Sequence, residues 1–521
     1  MRDFSQLDTW IYNTLAMNII ANGILAFALL SLTYPRANIP LAFLIAGLFC
    51  CFEAVVYALF QAAMPRTGGD YVFQSRVFGG GYATVFAFSG TTLVQIFTYA
   101  IAGFVIATAI FSPAFVMLGA YYGLHWLTSV GTWLSGKWGI FTCGMIAAVW
   151  GSLVNIRGLR VYAILQRWFF WIGLFLLAIL VIAVAATSRG GFIHHLNSFV
   201  GDNFGTKNAY QVTLKRGGSV DTSFDLAQTI KASVIAAFAL IFPAYSVMQA
   251  GEIRRANSVR ANLAATLGAE VFTTLGLALI GALLVSRAGH GFLYSSGTLF
   301  YGGAANNPLP VPPSLGFFFS IAGGHAVFVW ITLAMVFCWV MMWFPNSTLG
   351  ASRNVMAMAF DGILPGKLAA VNSRFHTPVF AILLYGVISI PAVILYAFSS
   401  SFQAFTFGFF IVFITNYGAT MLAGLFFPYR RKRLYEESPA AAYKFLGIPL
   451  ISLAAVVFLA FVIYVDYQAL TADELGLNGN KGLIFLGAMY GVAIITYLIA
   501  WFYQRQRGVR LTSAYQQLPI E

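Results

Sequence analysis

The chain has 521 residues, of which 60% are apolar and only 9% charged, with a mean hydropathy of +0.81. A soluble domain carries roughly 25% charged residues, so an ordinary water-facing surface is excluded, and with it a soluble enzyme, a disulfide scaffold and a disordered chain. The net charge of +13 does not call for nucleic acid, because basic residues gather at the cytoplasmic ends of membrane helices. The composition predicts an all-α polytopic protein in a lipid bilayer.

A span needs roughly 20 apolar residues to cross a hydrocarbon core of about 30 Å. Residues 1–10 read as a cytoplasmic N-terminus without a removable signal, since no short apolar core precedes a small-residue cleavage site. Helices 1 to 5 are predicted at 11–34, 40–63, 82–112, 138–156 and 160–187, a first five-helix unit over 11–187. Helix 1 carries Asn18 and the run Ala21-Asn22-Gly23, polar and flexible in an apolar segment. Glu53 falls well inside helix 2, where an ionisable group is costly and marks function by default. Residues 77–136 contain no Asp, Glu, Lys or Arg, so 113–131 offers either a further span or an outer helix continuing helix 3.

The polar stretch 188–230 reads as an extracellular loop that caps the protein. His194 and His195 lie in it as solvated residues, adjacent and without the spacing of a metal pair. A second five-helix unit covers 231–427, with helices at 231–250, 262–285, 317–345, 377–398 and 402–427. Helix 6 carries Phe238 and the run Phe242-Pro243-Ala244-Tyr245-Ser246, in which Pro243 removes one helical hydrogen bond. Glu270 lies inside helix 7. Ser347 and Thr348, beyond the inner end of helix 8, offer hydroxyl oxygens to Na⁺ beside helix 1 carbonyls. A basic loop at 428–445 leads to helices 11 and 12 within 446–504, at 446–466 and 482–504, and a tail at 505–521. Cys50, Cys51, Cys143 and Cys338 all sit in apolar runs and read as small buried hydrophobes, not metal ligands.

Twelve spans with the N-terminus inside place 20 Lys and Arg on the cytoplasmic side and 9 outside; a thirteenth span gives 11 and 18. The positive-inside rule therefore selects twelve, with both termini cytoplasmic in a cell membrane. Gly23 and Pro243 lie 220 residues apart, and the same shift carries helix 2 onto helix 7. Two halves of five helices must have opposite orientation, each opening with an interrupted helix. Paired interruptions in inverted halves point to a transporter's central site. Half-helix amides attract a carboxylate and freed carbonyls an ammonium group or Na⁺, so an amino acid fits such ends. The candidate substrate residues are Asn18, Ala21, Asn22 and Gly23 with Phe238, Phe242, Pro243, Tyr245 and Ser246. Glu53 and Glu270 are candidates for proton coupling, Ser347 and Thr348 for sodium.

Several segments resemble the amino acid–polyamine–organocation superfamily of permeases. Met64-Pro65-Arg66-Thr67-Gly68-Gly69-Asp70-Tyr71 is similar to its loop after helix 2. Ala250-Gly251-Glu252-Ile253-Arg254-Arg255 is similar to the end of its helix 6, and Asn155-Ile156-Arg157-Gly158 to the start of its helix 5. The stretch 346–378, with Arg353, Asp361-Gly362, Pro365 and Pro378, resembles its helix 8 exit. The resemblance implies a leucine-transporter-type inverted repeat plus two C-terminal helices, alternating access, and a substrate site between helices 1, 3, 6, 8 and 10. Some members carry a Lys in mid-helix 5 at a sodium position; here Arg167 stands about a turn early, and Trp168–Gly173 contains no Lys. The expected activity is secondary transport of a neutral or apolar amino acid, with H⁺ or Na⁺ as coupling ion and no cofactor, metal or catalytic residue. A polyamine or organic-amine transporter and a non-transporting amino-acid sensor are the alternatives.

Overall fold

The computed structural model describes residues 4–218, 221–304, 307–403, 406–472, 475, 479–511 and 515. Arg2 and most of the tail assigned to 505–521 lie outside the described residues.

The architecture is all-α and polytopic. Eleven helices among the described residues are long and apolar enough to cross a membrane. The remaining expected span, helix 6, consists of helix 6a, Leu226–Ala237, and the short helix 6b, Tyr245–Glu252. Helix 1 is likewise divided, into helix 1a, Gln6–Met17, and helix 1b, Ala21–Thr33. Shifting the helix 1 break by 220 residues lands on the start of the helix 6 break, so the two halves of the chain are interrupted at matching positions.

Local chemistry explains most boundaries. Ser5 and Asp8 form a reciprocal capping box that starts helix 1a. Asn38 caps helix 2, Ile39–Ala63, and Ser258 caps helix 7, Val259–Ala288. These two symmetry-related helices pack closely: Asn262 Nδ2 donates to Ala58 O at 3.2 Å and Thr266 Oγ1 to Ala54 O at 3.1 Å. Gly68 and Gly69 adopt positive φ and turn the chain from helix 2 into a buried connecting helix, Gly69–Phe78. Helices 4 and 5 span Lys137–Ile156 and Leu159–Ala186, with helices 9 to 12 at Val379–Phe398, Thr406–Arg430, Leu450–Thr471 and Asn480–Gln506.

Two segments differ from expectation. Helix 3 runs through Gly80–Tyr122, and a separate helix, His125–Ser135, folds back beside it, so 113–131 is shared between a continuation and an outer helix. The run expected as helix 8 from 317 splits at Gly324, whose φ of +67° ends a short helix, Leu315–Gly323. Helix 8 proper is Ala326–Phe360 and continues past Pro345 for four turns. Pro345 is tolerated inside it because a neighbouring helix supplies the missing donor: Trp150 Nε1 of helix 4 gives a 2.7 Å hydrogen bond to the Met341 carbonyl that Pro345 leaves free.

Both ends of the described chain lie on one face. The Phe4 amide donates to Glu252 O at 3.2 Å and the Arg254 amide to Phe4 O at 2.9 Å, while Arg431 donates to both Arg76 O and Tyr515 O. On the opposite face, 188–230 is largely helical, as Arg189–Phe204 and Ala209–Arg216. These pack with the helices His290–Tyr301 and Leu315–Gly323 as a cover. His194 and His195 follow one another on the first of them, and His195 Nδ1 lies 3.2 Å from Ala322 O.

Candidate functional site

At the helix 1 break the backbone of Asn18 takes a left-handed conformation, φ +47°, which Asn tolerates better than most residues. Its Oδ1 accepts the Ala21 amide at 3.0 Å and its Nδ2 donates to Trp339 O at 3.4 Å. Asn18 therefore caps the start of helix 1b and ties the break to helix 8. Asn22 works in the other direction, donating to Met17 O at 2.8 Å. Two asparagines one turn apart thus satisfy both ends of the interruption from within helix 1. Gly23 belongs to the first turn of helix 1b and faces helix 7, where an added Cβ would stand 3.0 Å from Leu277 Cδ2.

Helix 6 breaks differently. Pro243 has no N–H to return to the Ala239 carbonyl, and the chain resumes as a tight 3₁₀ segment. The Ser246 amide is satisfied by Asn13 Oδ1 of helix 1a at 2.9 Å. Tyr245 stacks on Tyr12, ring centres 6.1 Å apart, and its hydroxyl accepts from Gln95 Nε2. Phe242 meets Phe413 edge to face at 5.3 Å, and Phe238 packs on Phe410 at 5.4 Å.

Between the breaks lies a cavity of about 60 Å³, room for a few water-sized groups. Asn22, Phe238, Phe242, Tyr245 and Ser347 line it; Asn18, Ala21, Gly23, Pro243 and Ser246 do not. Further walls come from Gln95 and Thr98 of helix 3, Trp343 and Asn346 of helix 8 and three phenylalanines of helix 10. Thr98 Oγ1 donates to Gln95 Oε1 at 2.7 Å, orienting the amide that holds Tyr245. The sequence carries a trace of this pair: two polar residues three apart, on one helix face, inside the uncharged stretch that begins after Arg76. No Asp, Glu, Lys, Arg or His is among the lining residues.

Ser347 and Thr348 diverge. Ser347 faces the cavity, whereas Thr348 turns toward helix 3 and hydrogen-bonds the Tyr99 hydroxyl. Glu53 of helix 2 and Glu270 of helix 7 lie outside the cavity, and both are buried.

Access is asymmetric. Toward the face opposite the termini, an apolar cavity of about 570 Å³ sits above the first and shares Ile101 and Phe238 with it. Toward the terminal face the path is filled. Gln249 Nε2 donates to the Tyr12 hydroxyl at 2.6 Å, which donates to Asn346 O at 2.9 Å, joining helices 6b, 1a and 8. Ion pairs stand below: Arg353 holds Glu252 at 2.8 Å, Arg167 holds Asp8 at 2.5 Å, and Arg76 grips Asp361 through both guanidinium nitrogens. Arg167 is thus the partner of helix 1a.

Twelve expected spans, two interrupted helices and a pocket between them closed toward the terminal face define a permease-type membrane protein. The chain matches the amino acid permease family over residues 7–494 and belongs to that family, within the amino acid–polyamine–organocation superfamily. No individual curated protein matches it in sequence.

Proposed function

We propose that the chain is a secondary active transporter of a neutral, largely apolar amino acid, binding it in the cavity between the two breaks and working by alternating access. The observation that carries this reading is the cavity lining, polar at Asn22, Gln95, Thr98, Asn346 and Ser347, aromatic elsewhere except at Ala16 and Ile101, and free of charged side chains. A zwitterion brings both of its charges and needs only oriented dipoles, while a polyamine needs carboxylates; Glu53 stands behind Phe242 and Tyr245, outside the cavity.

In this reading the terminal face is cytoplasmic, in keeping with its share of Lys and Arg. The conformation is sealed on that side, and the ion pairs at Glu252 and Asp8 hold helices 6b and 1a shut. Substrate entering from the other side passes Phe238, a gate common to both cavities. Opening inward requires helices 1a and 6b to leave Arg167 and Arg353. The coupling ion is H⁺, through Glu53 or Glu270, or Na⁺, with Ser347 as the hydroxyl facing helix 1 at the cavity.

The test is thermal stabilisation of the purified protein by each of the twenty amino acids, several polyamines and nucleobases, with and without Na⁺. A ligand at a hundredfold excess over its Kd stabilises by about 2.7 kcal/mol. Neutral amino acids are expected to raise Tm. A response confined to polyamines or nucleobases overturns the substrate assignment, and a strict Na⁺ requirement moves Ser347 ahead of the acids.

A further inference from the structure

Behind the substrate cavity, on the far side of Phe242 and Tyr245, lies a second and much smaller one of about 10 Å³, room for a single water-sized group. Its walls are the helix 6 break and two carboxylates, Glu53 of helix 2 and Asp70 of the connecting helix. Both side chains are 1% exposed. Asp70 Oδ1 accepts from the Tyr57 hydroxyl and from Thr420 Oγ1 at 2.7 Å, and Thr420 is itself held by Gln74 at 2.9 Å. The other Asp70 oxygen, Oδ2, and Glu53 Oε2 are buried without a hydrogen-bond partner. These two oxygens belong to the residues that line the small cavity, and nothing in the central cavity accounts for them.

The titratable groups around the pair come from every neighbouring element: Cys50 and Tyr57 of helix 2, Tyr245 of helix 6, Glu270 of helix 7 and Tyr417 of helix 10. None can carry a positive charge, and no ion pair reaches either acid among the described residues. Two carboxylates facing one small cavity in low dielectric cannot both stay ionised. They must hold a proton or a cation whenever the cavity is sealed.

We infer that Glu53 and Asp70 form a proton-binding site, distinct from the substrate cavity, that shares Phe242 and Tyr245 with it as a common wall. The inference rests on the transporter reading and adds Asp70 and a location to it. One proton, taken from a hydronium ion, is shared by the two carboxyls while helix 6b lies closed; it leaves to water as a hydronium ion at the terminal face when helix 6b swings away and Val247 and Met248, which also line the cavity, go with it. An ionised pair behind an apolar wall disfavours closure of helix 6b, so closure around substrate and proton uptake reinforce each other. Tyr57 and Thr420 position Asp70; neither transfers the proton away.

The experiment is a pH titration of the full-length protein followed by infrared difference spectroscopy in the protonated-carboxyl C=O region, on wild type, E53Q, D70N, E53Q/D70N and E270Q. Wild type needs no variant to fold, and it is expected to lose a protonated-carboxyl band as pH rises. The band should weaken in each single variant, vanish in E53Q/D70N and persist in E270Q. An unchanged band in E53Q/D70N overturns the assignment, as does loss of the wild-type band on adding NaCl at constant pH, which marks a cation site. In proteoliposomes, uptake of radiolabelled neutral amino acids driven by a pH gradient should be lost in E53Q and D70N while counterflow remains; equal driven uptake in wild type and variants overturns the coupling. If wild type shows no counterflow, the substrate reading falls and the infrared titration still decides the acid pair.

Discussion

The two interrupted helices occupy equivalent places in the two halves but are completed in opposite ways. Helix 1 closes its own break: Asn18 caps the upper half and Asn22 the lower, both within one turn. Helix 6 has Pro243 and bulky aromatics there, and its freed Ser246 amide depends on Asn13 from helix 1a. A break satisfied internally keeps its shape when its surroundings change. One satisfied by another element registers that element's movement. Helix 6 is therefore the half of the pair suited to transmit a change, and it also separates the two cavities.

The largest expected effect concerns what holds helix 6b down. Arg353 is 2% exposed and pairs with Glu252. Glu252→Gln leaves a buried guanidinium without its counter-charge, which costs about 3 kcal/mol or more, and Tm should fall accordingly. On the helix 1 side the partner left behind is Asp8, 0% exposed, but it keeps the Ser5 amide and hydroxyl as donors, and unlike a guanidinium a carboxylate can neutralise itself by taking up a proton. Arg167→Gln should cost clearly less. Equal losses for the two variants would remove the asymmetry between the halves.

Next come the breaks themselves. Asn13→Ala strands the Ser246 amide, a buried N–H whose desolvation costs about 1–3 kcal/mol. Asn22→Ala strands the Met17 carbonyl, and under-satisfied carbonyls are tolerated more readily than orphaned amides. Denaturation of the two variants should rank Asn13→Ala as the more damaging. Because Asn22 also lines the substrate cavity, only Asn22→Ala should combine a modest Tm loss with a direct loss of ligand-induced stabilisation. The reverse ranking would mean that helix 1, not helix 6, depends on its neighbour.

Much of this difference was legible in the residues, and the unread part has a physical cause. Asn18 and Pro243 announce broken helices because each has a local conformational preference. Phe238, Phe242 and Tyr245 follow, since residues flanking a break face whatever the break opens onto. Gln95 and Thr98 escaped because their importance comes from long-range packing: a polar pair in an apolar helix does not say which neighbour it meets. Ser347 and Thr348 are adjacent, and one residue along a helix turns a side chain by about 100°, so only one of them reaches the cavity. Helix 8 departs from its expected bounds at both ends. Gly324 stops the run early in a left-handed turn, and Pro345 fails to stop it because Trp150 of helix 4 answers the Met341 carbonyl that the proline leaves free. Asp70 carries no functional signal in its segment, which is similar to the loop after helix 2, and only the fold brings it beside Glu53.

The smallest expected effect lies at Gly23, which sits close to the helix 1 break in sequence and yet faces away from the cavity. Gly23→Ala gains about 0.5–1 kcal/mol of helix propensity and places a Cβ 3.0 Å from Leu277 Cδ2, the flexible end of a side chain that can give way. The two terms oppose each other, so Tm should move by no more than about 1 kcal/mol equivalent, and ligand-induced stabilisation should be unchanged. A variant of normal Tm that no longer responds to ligand would show that the substrate reaches the upper half of helix 1. The self-capped break would then be a moving part of the site, and helix 6 would lose its special standing.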